Sequence, residues 1–112
     1  MQAFDVLADP VRRRILEILG EGDHASGEVV AIVSEEFGIG QSAVSQHLKV
    51  LRESGFASVS VDGARRIYAI EVTPLAEVDE WLLQFRRFWE SKLEALATEV
   101  ARGKRQRKDD PR

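Results

Sequence analysis

The sequence predicts a mainly α-helical fold carrying one small β-hairpin. Three observations lead there. Apolar residues recur at three- and four-residue steps through most of the chain, the period switches to two after Gly55, and Asp62-Gly63 sits in the middle of that switch. The 112 residues suit one domain with a modest core, and 44% hydrophobic with 31% charged residues is ordinary globular composition. The absence of cysteine excludes disulfides, thiolate metal ligands and cysteine nucleophiles. No segment approaches the roughly 18 apolar residues of a membrane span. The start Met-Gln-Ala-Phe-Asp lacks the basic and apolar run of a secretory signal, so a soluble cytoplasmic chain is expected.

Gln2 to Ala8 reads as a short helix with Phe4 and Leu7 facing inward. Asp9-Pro10 is then a restart, with Asp at the N-cap and Pro at the first helical position. Val11, Ile15, Ile18 and Leu19 carry the second helix to Gly20-Glu21-Gly22. Arg12, Arg13 and Arg14 within it point about 100° apart and form no single patch, although one of them could meet a phosphate. Asp23 to Ser26 is expected as a turn, and Val29, Val30, Val33 and Phe37 define a third helix over Gly27 to Phe37. Gly38-Ile39-Gly40 follows as a tight connection, with Gly38 suited to a left-handed position and Ile39 free to plug between two helices.

Gln41 to Gly55 is the fourth helix and the most informative stretch. Val44, Leu48 and Leu51 form its apolar stripe, while Gln41, Ser42, Ser45, Gln46, Lys49 and Arg52 point away. Amides and hydroxyls in the first turns with cations later is the order a DNA recognition helix needs, since short polar groups reach base edges and cations meet phosphates. A solvated face on an amphipathic helix is the alternative. The preceding helix and glycine-containing turn complete a helix-turn-helix, which favours the DNA reading.

From Phe56 to Val61 and from Arg66 to Ile70 the residues alternate about Asp62-Gly63, predicting a two-stranded wing. Arg65 and Arg66 follow its turn, where they can enter a minor groove or grip the backbone. Thr73-Pro74 then caps a last helix in which Leu75, Val78, Leu82, Phe85, Trp89, Leu93, Leu96 and Val100 step by three or four over about 28 residues, some 42 Å. That seam is too long for so small a core, and Trp81 with Phe88 widens it, so the helix is expected to pack against its symmetry mate. The aromatic cluster Trp81, Phe85, Phe88 and Trp89 is read either as dimer core or as a site for an apolar small-molecule effector; a chain without any effector is equally allowed. Residues 103–112 have no apolar anchor and are expected to form a disordered basic tail. The elements thus run helix, helix, helix, helix, strand, strand, helix, a dimeric winged helix-turn-helix.

A formal charge of −3 taken alone argues against a polyanionic partner, but its distribution matters more. Between Ile39 and Ile70, Lys49, Arg52, Arg65 and Arg66 face only Glu53 and Asp62, whereas acids gather at Glu28 to Glu36 and Glu71 to Glu80.

From LADPVRRRILEIL through QSAVSQHLKVLRESGF to DGARRIYAI the chain resembles the ArsR/SmtB family of small winged-helix repressors. The resemblance implies a homodimer joined through its first and last helices, with Phe4, Leu7, Val78, Leu82, Phe85, Trp89, Leu93 and Leu96 at the interface. It also implies repression of its own operon from an inverted repeat of double-stranded DNA. On that basis Gln41, Ser42, Ser45 and Gln46 would carry base or near-base contacts, and Lys49, Arg65 and Arg66 phosphate or minor-groove contacts. His47, at the border of the stripe, fits packing and a contact toward DNA equally. The chain departs from metal-sensing relatives: Glu28-Val-Val-Ala-Ile-Val33 stands where they carry cysteines, and neither His24 nor His47 lies on the last helix, so no metal or other cofactor is expected. The competing class is a winged-helix protein-interaction module without DNA binding, against which the polar and basic face speaks. An enzyme is not expected, because no acid is placed to orient His47 beside Ser42 and Ser45.

Overall fold

The computed structural model describes residues 2–109, with side-chain surroundings as far as residue 103, and the chain divides after Val78 into two units. In the first, α1 (Ala3–Leu7) and α2 (Pro10–Glu21) are hinged on Asp9, whose carboxylate accepts the N–H groups of Val11 at 2.8 Å and Arg12 at 3.2 Å with Pro10 beside it, as expected of an N-cap. Arg12 donates back to the carbonyls of Val6 and Asp5, both at 2.9 Å, and Arg13 donates to that of Leu7. These two arginines satisfy the open end of α1. The face that α1 buries is only partly the expected one: Leu7 is half-buried against the core as expected and Val6 is fully buried, whereas Phe4 is 49% exposed. A five-residue helix can turn only about one side chain per turn onto α2, and Val6 takes that place.

The segment expected to be only a turn before the third helix contains a two-residue strand, β1 (His24–Ala25). With the hairpin strands β2 (Ala57–Asp62) and β3 (Arg65–Ile70) it forms an antiparallel sheet in the order β1-β3-β2, with His24 opposite Tyr68 and Ala25 opposite Ile67. Next, α3 (Ser26–Phe37) starts directly from β1 without a side-chain cap. It ends at Gly38, whose φ of 65° is the left-handed conformation that glycine accepts without strain. After Ile39, half-buried against the core, comes α4 (Gln41–Glu53). The core joins Val6, Ile15, Leu19, Val29, Val33, Val44, Leu48, Leu51 and Phe56.

The hairpin turns at Gly63-Ala64, one residue later than the Asp62-Gly63 signal read literally, and Asp62 pairs with Arg65. Gly63 has φ 62° while Ala64 does not have positive φ, the pattern of a type II′ turn, which matches the twist of the strands. Alternation holds at the base of the wing, where Ala57 and Tyr68 are buried, and is lost toward the tip, where Val61 is 75% exposed because the strands run past the core.

The single long last helix is not what forms. Helix α5 (Thr73–Leu83) ends, and α6 (Arg86–Asp109) begins after a tight turn. The amide of Phe85 reaches the carbonyl of Leu82 at 3.0 Å instead of that of Trp81, which accepts the side-chain amide of Gln84 at 2.9 Å. That exchange interrupts the i to i−4 ladder. The tail differs as well: α6 runs on to Asp109, since Ala, Arg, Lys and Gln after Val100 are good helix formers. Residues 110–112 of the tail lie outside the described residues.

Candidate nucleic-acid interface

Helix α4 is anchored by Val44, Leu48 and Leu51, all buried, which fixes the rotation of the helix and therefore which side chains it offers to solvent. Gln41, Ser42, Ser45, Gln46, Lys49 and Arg52 are all exposed. No side chain caps its N-terminus, so the positive end of the helix dipole lies beside Gln41 and Ser42. His47 is half-buried at the edge of this face, and its charge acts on Asp9. Burial pushes the Asp9 carboxyl up, but the hydrogen bonds from Arg12 and Val11 outweigh it, helped by the charges of His47 and Arg12, and hold it below the ordinary carboxylate range.

Two braces hold α4 in place. Arg14 of α2 forks onto Glu36 of α3 at 2.8 and 3.0 Å, fixing the helix that precedes the turn. The Arg14 hydrogen bonds keep Glu36 below its usual range, and the same pair raises Arg14. At the other end the amide of Phe56 donates to the carbonyl of Leu51 at 2.9 Å, and its carbonyl accepts from Glu71 at 2.8 Å, tying the wing to α4.

Between them, α4 and the wing enclose a shallow groove of about 250 Å³ lined by Ser45, Lys49, Arg52, Arg66 and Tyr68 with Ser26 of α3. Two cations from α4 and one from the wing, with the hydroxyls of Ser26, Ser45 and Tyr68 among them, make a surface suited to a phosphate backbone. Lys49 has Glu53 at 3.9 Å, an exposed pair that a phosphate can displace. The two wing arginines, expected to act together, part company: Arg66 lines this groove, whereas Arg65 is drawn to Glu28 of α3 at 2.9 Å. From the sequence Arg52 lies on the polar side of α4 with no individual role, and nothing there marks Ser26 or Glu28 as part of the surface. No local pattern could have found the last two, because β1 is what brings the start of α3 to β3. Among the described residues no three His, Asp or Glu gather as metal ligands, and no helix is long and apolar enough to cross a membrane.

A helix-turn-helix with a polar, solvent-facing second helix, followed by a hairpin with a basic strand, defines the winged helix-turn-helix class of DNA-binding regulators. Comparison with known proteins narrows the class. The model of the family "Bacterial regulatory protein, arsR family" matches residues 9–59. The transcriptional repressor SdpR of Bacillus subtilis is 32% identical over 82 residues, covering 73% of this chain and 87% of SdpR. The crystal structure of an ArsR family transcriptional regulator, RHA00566, is 31% identical and superposes with a TM-score of 0.63 over 80% of this chain and 88% of that one. The homodimeric winged helix-turn-helix domain of Mb0332 from Mycobacterium bovis, 22% identical with a TM-score of 0.57 over 74% of this chain and 76% of its own, shares the fold. The chain belongs to the ArsR family: it is a DNA-binding transcriptional regulator and not an enzyme.

Proposed function

We propose that this regulator is a homodimeric repressor that reads an inverted repeat in double-stranded DNA, acts on its own operon, and works in the cytoplasm. The observation that carries the reading is the continuity of the exposed polar face of α4 with the cationic groove against the wing. Gln41, Ser42, Ser45 and Gln46 stand where a helix entering the major groove meets base edges, and Lys49, Arg52 and Arg66 grip the backbone beside them. His47, half-buried at the edge of that face, is a further candidate contact, and Arg65 is a reserve contact whose engagement depends on Glu28.

Dimerisation is supported by the apolar stripe of α6. Trp89, Leu93, Leu96 and Val100 recur on one side of that helix, and the last three are each more than half exposed in the single chain. Water-exposed leucines at heptad-like spacing call for a partner helix, and a second copy supplies the same stripe. Leu82 and Phe85, both exposed in the single chain, and Val78 are assigned to the interface with Phe4 and Leu7 of α1 on the resemblance. The homodimeric state of the Mycobacterium bovis domain agrees with this assembly.

A gel shift with the duplex upstream of its own gene tests the reading. Binding that weakens steeply with salt is expected, and the double substitution Arg65→Ala with Arg66→Ala should reduce it; undiminished binding removes the wing from the interface.

A further inference from the structure

The pairing of β1 with β3 sets the first turn of α3 alongside the wing, and there Glu28 meets Arg65 at 2.9 Å across a cleft formed by Ala25, Ser26 and Gly27 on one side and Ala64 and Arg66 on the other. Neither α4 nor the hairpin alone needs this contact. It joins a carboxylate outside the recognition surface to a cation that the wing would otherwise offer to DNA.

We propose that Glu28 is a positioning residue for the wing, holding Arg65 back along α3 so that Arg66 is the arginine presented beside Lys49 and Arg52. Arg66 borders both this cleft and the groove of Lys49 and Arg52, whereas Arg65, nearer the tip of the hairpin, borders only the cleft. Glu28 decides what the outer one does. Both members are more than half exposed, 58% for Arg65 and 51% for Glu28, so the pair is weak and a phosphate can compete for the guanidinium. Arg65 then reaches DNA only by exchanging one anion for another, and its contribution to affinity and to counterion release is blunted.

The inference rests on the DNA reading above, and its test separates the two. A fluorescein-labelled duplex enriched from a random-sequence pool by the wild-type chain is titrated by anisotropy between about 50 and about 200 mM KCl with the wild type, Glu28→Gln, Arg65→Ala and the double variant. Glu28→Gln should tighten binding about two- to fivefold per protomer and steepen the slope of log K against log salt by about 0.9 per protomer, one freed phosphate contact. Arg65→Ala alone should cost less than about twofold, and in the Glu28→Gln background it should abolish both gains. If Glu28 merely repels DNA, Glu28→Gln tightens binding equally with and without Arg65, and the proposal falls. Unchanged affinity and slope in Glu28→Gln overturns it too. A wild-type chain that enriches no duplex overturns the DNA reading itself, and this proposal with it.

Discussion

Asp9 does its work within three residues of itself, capping α2 while Arg12 returns from α2 to close α1. Asp9→Ala should therefore lower stability by about 1 kcal/mol, read as a shift of the urea midpoint at unchanged slope. Asp9 and Glu36 both have folded carboxyl pKa values held below the unfolded ones. Their contribution is full above the unfolded carboxylate range and is lost as pH falls through the lowered folded values. Stability should thus decline in acid below about pH 4, and Glu36→Gln should flatten that decline; an unchanged pH profile in Glu36→Gln would leave the Arg14 brace without energetic weight. Local chemistry of this kind was legible in the sequence: the Asp-Pro pair announced the cap. Arg14 with Glu36 and Arg65 with Glu28 were not, since the partners stand 22 and 37 residues apart and only the fold brings them together.

Among the elements, α4 is the one whose rotation matters most, because three buried residues decide which six polar side chains face outward. Leu48→Ala leaves a hole in that anchor and should cost about 2–5 kcal/mol by chemical denaturation. Gly38→Ala is strained at φ 65° and should cost about 1–2 kcal/mol with little change in what α4 displays. The helices, the left-handed glycine and the hairpin were readable because period and turn chemistry are local signals. Strand β1 was not, because two residues carry no period. The break between α5 and α6 also escaped, since Gln84-Phe85 contains neither Pro nor Gly; a side-chain amide taking a backbone carbonyl leaves no mark on the hydrophobic pattern.

Reading an inverted repeat takes two copies of the chain on one duplex. Leu93→Asp with Leu96→Asp places charges in the stripe of α6 and should convert a dimer at micromolar concentration into a monomer by light scattering. Wild-type chain that is already monomeric there would contradict the assembly. The acidic total charge of −3 hides the basic groove, which was legible only as a segregation of signs along the chain; the fold turned Lys49, Arg52 and Arg66 toward one another. The most direct test of the central claim is selection of duplexes from a random-sequence pool, carried out with the wild type and with Gln41→Ala combined with Gln46→Ala. The wild type is expected to enrich an inverted repeat with half-sites about 34 Å apart, and the double variant to bind DNA still but enrich the repeat poorly. Enrichment of the same repeat by both proteins would contradict the claim that α4 reads the sequence.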